Sequence, residues 1–232
     1  MKLSDLLQFD DIIVQCHDNP DADALASGFG VYEYLRMNGK NPRFVYGGRN
    51  IIHKSNLVLM INSLDIPIEH VDFLDNPQLL VTVDCQYGGG NVTLFKAQNI
   101  AVIDHHRISV DLPPMNRVMS YMGSCATIVW DMLREEGFEI KRKLATALYY
   151  GLYTDTGEFS EITHSLDRDL RDEAEFDDEI VAKFRNANMS LEELDIAGTA
   201  LLGRDYIEEH RLAILKAGAC DPNVLGIISD FV

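Results

Sequence analysis

Short apolar runs alternate with longer amphipathic stretches through the first half of the chain. Ile12-Ile13-Val14-Gln15-Cys16, Arg43–Tyr46, Leu79–Val83 and Ile100–Ile103 are brief and rich in aliphatic residues. Such continuous runs predict buried strands of a parallel sheet rather than strands with one wet face. Between them, the pattern predicts a helix from about Asp23 to Met37, stopped by Asn38-Gly39, a second around His53 to Ser63 and a short one near Val92 to Gln98. This βαβ rhythm predicts an α/β fold, a three-layer Rossmann-like domain with a mainly parallel sheet.

From Ser124 onward the pattern turns helical. Ser124 is a good N-cap for Cys125–Glu136, with Gly137 as its stop, and Lys143–Tyr153 reads as the next helix, carrying Thr154-Asp155 at its end. Leu166–Ala187 and Leu191–Lys216 are helical in composition. The stretch 186–190 is the candidate linker, and Ser190-Leu191-Glu192-Glu193 reads as a capping box. A first domain is therefore expected over 1–187. Residues 188–232 are expected to be a helical linker and the start of a truncated or absent C-terminal substrate-binding domain, with Leu225–Val232 opening a strand. No internal repeat or low-complexity segment is evident.

The polar residues that close the apolar runs carry the candidate chemistry. His17-x-x-x-Asp21-x-Asp23 follows the first run in a Pro-containing turn, Asp84 ends the third, Asp104-His105-His106 ends the fourth, and Asp155 sits at a helix end. In open α/β sheets the carboxyl ends of the strands line the ligand crevice. Carboxylates and imidazoles gathered there suit two hard or borderline divalent cations. Imidazole shifts the preference from Mg²⁺ towards Mn²⁺, and Co²⁺ is also compatible.

Together, His17/Asp21/Asp23, Asp84, Asp104-His105-His106 and Thr154-Asp155-Thr156-Gly157 resemble, in order, the four signature motifs of the DHH phosphoesterases. That family includes RecJ-type nucleases, nanoRNase and pAp phosphatases, cyclic-dinucleotide phosphodiesterases and manganese pyrophosphatases. The resemblance implies that His17, Asp21 and Asp84 hold one ion and that Asp23, Asp84, His105 and Asp155 hold the other, with Asp84 bridging. It assigns His106 to the substrate phosphate as charge stabiliser or proton donor. Adjacent residues on an extended chain point to opposite sides, so His105 and His106 are not expected to share an ion. Asp104 either orients a ligand histidine through its other ring nitrogen or caps the turn.

The implied reaction is hydrolysis of a small phosphorylated substrate: a short oligonucleotide, 3′-phosphoadenosine 5′-phosphate (pAp), or a linear or cyclic dinucleotide. The alternatives are a pyrophosphatase or short-chain polyphosphatase, and a nucleotide- or metal-binding regulatory domain with little turnover. The Gly-Gly-Gly-His motif of the family's C-terminal domain is absent, since Gly88-Gly89-Gly90 is followed by Asn91.

Charge narrows the partners. A formal net charge of −17 over 232 residues disfavours a surface that tracks long nucleic acid, although the acidic run 169–179 concentrates much of it on one stretch. No run approaches the roughly 18 apolar residues of a membrane span, so a cytoplasmic location without membrane partners is expected, with homodimerisation left open. Cys16, Cys85, Cys125 and Cys220 are far apart and read as packed, reduced thiols. Ser124 could bring helix N-terminal amides to a phosphate or serve only as an N-cap; Arg168 and Arg171 could contact phosphate or pair along a helix face.

Overall fold

The computed structural model describes residues 1–187, 191–220, 224–225 and 228–229. Six parallel strands form the sheet: β1 (Ile12–Gln15), β2 (Arg43–Tyr46), β3 (Ile68–His70), β4 (Leu79–Val83), β5 (Ile100–Asp104) and β6 (Met115–Val118), in the order β3-β2-β1-β4-β5-β6. The predicted α/β class is present, and the four central strands coincide with the four apolar runs. The two edge strands, Ile68-Glu69-His70 and Met115-Asn116-Arg117-Val118, are short, mixed in polarity and half-buried, so no apolar run announces them.

Period-two alternation sends neighbouring residues to opposite faces. Ile12, Val14, Phe44, Leu79, Val81 and Ile103 join the large core beneath the helices. Ile13, Val45 and Leu80 face the other way and meet Leu74 and Phe95. The helices packed on the sheet all lie on the first face: α1 (Ala22–Met37), α2 (Ser55–Leu64), α3 (Cys125–Glu135), α4 (Arg142–Asp155), α5 (Ser165–Glu173) and α6 (Asp178–Arg185) each contribute to that core. The second face is covered by irregular chain. The helix predicted at Val92–Gln98 does not form, because its polar groups bond to the end of β1 and the turn after it: Asp18 accepts from the Thr93 N–H and hydroxyl, and Gln15 donates to the Thr93 carbonyl.

Two other helix predictions need correction. Leu166–Ala187 is broken at 174–177, where Phe176 stacks on Tyr149 at 3.6 Å and Asp177 caps α6 by accepting from Ile180 N–H. Leu191–Lys216 is α-helical only as α7 (Leu191–Leu202); beyond Gly203 the chain forms an antiparallel hairpin of β7 (Asp205–Ile207) and β8 (Leu212–Ile214), joined through a 3-10 turn at Glu208–His210. Of the predicted strand Leu225–Val232, Leu225, Ile228 and Ser229 are helical, and 226–227 and 230–232 lie outside the described residues; Val224 and Ile228 pack with Ala197 and Ala200. Residues 188–190, with Ser190 of the predicted capping box and most of the predicted linker, lie outside the described residues. No described helix is long and apolar enough to cross a membrane.

Helix α1 lies in the middle of the helical layer, and small residues let its neighbours approach. A Cβ built on Gly28 would stand 2.2 Å from the Phe44 ring, and one on Gly30 would stand 2.5 Å from Val129. Gly28→Ala should therefore destabilise by about 1–3 kcal/mol through overpacking, even though Ala is the better helix former by roughly 0.5–1 kcal/mol. Thermal or urea denaturation checks this; an unchanged or raised midpoint would show that Phe44 yields freely.

Candidate metal centre

Each acidic or imidazole group reaches the sheet's carboxyl edge for a local reason. After β1 the chain passes His17 and Pro20 and enters α1, whose N-cap is Asp21, its carboxylate accepting from Ala24 N–H at 3.0 Å. Asp23 follows in the first turn and is fully buried; its two oxygens accept from Cys125 and Ala126 N–H, each at 2.7 Å. The N-terminus of α3, a natural anion site, is thus filled by a side chain of the protein itself. Asp84 ends β4 in the left-handed region, with φ of 57°, while its N–H still bonds to the Ile103 carbonyl. Asp tolerates that conformation better than most residues, and such strain is concentrated at functional sites.

The structure brings six of the predicted residues together. His17 Nε2 lies 3.5 Å from Asp84 Oδ2 and 3.7 Å from Asp21. His105 Nε2 lies 3.1 Å from Asp155, 3.5 Å from Asp84 Oδ1 and 3.9 Å from Asp23. Each oxygen of Asp84 therefore faces a different histidine. Two ligand sets, His17/Asp21/Asp84 and Asp23/His105/Asp155, each have donor atoms within 4.8 Å of one another. Among the described residues, buried Asp84 Oδ1 has no hydrogen-bond partner, and buried His105 Nε2 has the 3.1 Å ion-pair contact with Asp155 but no well-formed hydrogen bond, a costly condition unless a cation engages them. Oxygen donors with two imidazoles fit a hard or borderline divalent cation at each set.

Electrostatics support the same fit. Burial and then repulsion from Asp84 and Asp155 push Asp23 well above the usual carboxylate range. Burial lifts Asp84 to about 6, with the His17 contact opposing it. Burial works against charge on His17, but the bonds and fields of Asp21 and Asp84 override it and raise the ring to about 10. His105 likewise reaches about 10, burial being overridden by Asp155, Asp23 and Asp84. Without metal, the cluster retains protons to offset its own negative charge.

The two adjacent histidines do not splay to opposite sides as an extended chain would require; their rings lie 4.4 Å apart, because β5 ends at Asp104. His105 Nδ1 is 3.3 Å from the Met122 carbonyl, which takes the orienting role expected of Asp104. Asp104 instead holds His106 Nδ1 at 2.8 Å. His106 is half-exposed and lies 3.6 Å from Asp84 Oδ1, so Asp84, His105 and His106 form a third potential ligand set. The sequence reading missed Gln86, a buried side chain that donates to the other Asp104 oxygen at 2.8 Å. A polar residue two places past Asp84 carries no periodic or motif signal.

The predicted substrate residues fare differently. Ser124 is fully buried and its hydroxyl caps α3 at Thr127 N–H, so it presents nothing to a phosphate. Arg171 pairs with neighbouring Asp172, and Arg168 donates to the Thr163 carbonyl; neither bonds to the cluster. Cys16, Cys85 and Cys125 are free and buried, their thiols pushed up by desolvation first and then by nearby carboxylates and, for Cys85, the Cys16 thiol.

The sequence model of the DHH family, N-terminal domain, matches residues 11–152. An uncharacterized protein of Methanocaldococcus jannaschii is 28% identical over 200 residues, covering 85% of this chain and 41% of that protein. A Staphylococcus aureus protein described as a probable manganese-dependent inorganic pyrophosphatase is 28% identical over 142 residues, 60% of this chain and 46% of that one. The chain thus spans less than half the length of these relatives. The crystal structure of an exopolyphosphatase-related protein from Bacteroides fragilis superposes with a TM-score of 0.65 at 15% identity, covering 98% of this chain and 71% of that one, which shows a shared fold.

Cation binding must displace the protons held by the cluster. For Asp84, raised from 3.8 to about 6, and for His17 and His105, raised from 6.5 to about 10, folding binds protons more tightly than the unfolded chain. Their stabilising contribution is complete below the unfolded values and is lost as pH rises through the folded ones. Asp21, lowered to about 2 by His17 against the opposing desolvation, has the opposite sign: its contribution is complete above pH 3.8 and is lost as pH falls through about 2, so it does not vary across the neutral range. The gain in Tm from excess Mg²⁺ or Mn²⁺ should therefore grow between about pH 6 and about pH 8.5. Thermal melts with and without cation across that range check it; a flat or shrinking gain contradicts proton displacement.

Proposed function

Because the chain belongs to the DHH family, we propose that it is a divalent-metal-dependent phosphohydrolase acting on small phosphorylated substrates. The observation that carries this reading is the double-faced carboxylate of Asp84, each oxygen turned to a separate histidine and its own acidic partners. His17, Asp21 and Asp84 would hold one ion, and Asp23, Asp84, His105 and Asp155 the other. Mn²⁺ is the favoured cation, on the mixed imidazole and carboxylate donors and on the metal named for the staphylococcal relative.

When bound, such a pair of ions supplies an activated water and neutralises charge on a phosphoryl group under in-line attack. The protein's own residues set the geometry. Asp23 is fixed by two α3 amides, His105 by the Met122 carbonyl, and Asp84 by the turn that ends β4. His106 donates through Nδ1 to Asp104, which leaves Nε2 to donate to a substrate phosphoryl oxygen. The hydrogen bond to Asp104 raises the His106 pKa despite partial burial, which favours the protonated ring that this role needs.

For substrate, we favour a short oligonucleotide, pAp or a dinucleotide, since the net charge of −17 disfavours long strands. Inorganic pyrophosphate or short polyphosphate is a second reading, prompted by the staphylococcal relative. Hydrolysis by the purified chain with Mn²⁺ of an aryl phosphodiester, pAp, a dinucleotide and pyrophosphate separates them. Bound metal with no hydrolysis of any of the four would overturn the enzymatic reading.

Within the site, Asp84→Ala should weaken both ions and abolish turnover, and His105→Ala should lower occupancy at one position. His106→Ala should keep its metal but lose about 10²–10⁴-fold in kcat, the range for a general acid. Metal analysis beside kinetics decides; loss of metal in His106→Ala would make it a ligand.

A further inference from the structure

One side chain just past β4 bonds to several groups of the segment 104–109. Gln86, two residues past Asp84 and 3% exposed, donates from Nε2 to Asp104 Oδ2 at 2.8 Å and to the Arg107 carbonyl at 3.2 Å, with the His106 carbonyl at 3.4 Å. Its Oε1 accepts from Ser109 N–H at 2.9 Å and lies 3.4 Å from the Ser109 hydroxyl. A backbone N–H can only donate and a backbone carbonyl can only accept, so these partners fix which end of the amide faces which way. The polarity then propagates. Because Nε2 must donate to Asp104, that carboxylate acts as an acceptor at both oxygens, and its Oδ1 takes the Nδ1–H of His106 at 2.8 Å.

We propose that Gln86 is a positioning residue for His106, acting through Asp104. It aims the ring by fixing the rotamer and the acceptor character of Asp104, and it makes no bond of its own to His17, Asp21, Asp23, His105 or Asp155 among the described contacts. The inference takes from the proposed reaction only the role of His106. It predicts an effect on kcat separate from metal binding, because the amide bonds to no side chain of the two proposed ion sites.

Two substitutions test it. Gln86→Met keeps the length and removes both polar ends. Gln86→Glu keeps the acceptor end but sets a carboxylate oxygen against Asp104. In each, kcat should fall by about tenfold or more with metal content and KM unchanged, and in a His106→Ala background the same change should cost no further rate. In the metal-free protein, the nitrogen shifts of the His106 ring, read through its carbon-bound protons, should move in both variants while those of His105 stay. An unchanged kcat with unmoved shifts overturns the inference, as does an equal loss in the His106→Ala background. Failure of both variants to fold also overturns it, since Gln86 would then be holding the fold and not aiming a ring. If the wild-type chain binds metal yet hydrolyses none of the four substrates, the functional reading fails and the ring shifts alone decide the positioning.

Discussion

Four carboxylates and two imidazoles held within a few ångströms repel one another and lose their water, and the rest of the architecture has to hold them there. A parallel sheet makes this possible because all its strands end on the same edge, so His17, Asp84 and His105 arrive together while helix ends bring Asp21, Asp23 and Asp155. The backbone supplies part of the compensation. Asp23 would be an isolated buried charge without the two α3 amides, and those amides would be unpaired helix donors without Asp23. The remainder comes from protons on His17 and His105, or would come from cations held by the same groups.

This arrangement explains the spacing of the first motif. Asp21 and Asp23 occupy the N-cap and the first turn of one helix, yet their carboxylates serve different ligand sets, one beside His17 and the other beside His105 and Asp155. A helix start can do this because successive residues point in different directions around the axis. Membership of the DHH family agrees with a site of this shape. Substrate choice belongs to surfaces beyond the metal ligands, because one fold carries many activities.

Much of the core and of the candidate metal cluster was legible in the sequence, for a physical reason: buried central strands must be apolar throughout, and polar groups meant for the sheet's carboxyl edge must follow them directly. The edge strands β3 and β6 were not legible because partial exposure lets them carry Glu69, His70, Asn116 and Arg117. The break before α6 depends on Phe176 reaching Tyr149, a tertiary contact that local propensity cannot foresee. The same holds for Ser124 and Gln86. A serine before a helix looks the same whether it faces a ligand or its own N–H, and a glutamine reveals its partners only once the segment 104–109 has folded back on it.

The uneven clothing of the sheet has a dynamic side. One face carries the helical layer, while the other rests on a small cluster around Ile13, Val45, Leu74, Leu80 and Phe95 beneath irregular chain. Amides under so little apolar cover are expected to open at lower free energy than those beneath the helices. That thin layer is tied to the first ligand turn, since Asp18, next to His17, bonds to Asn91 and Thr93. Opening there would loosen His17 while the helices stay intact. Exchange of a bound cation and exchange of the amide hydrogens around Thr93 should then follow one common motion, which hydrogen-exchange measurements with and without metal would expose as shared protection.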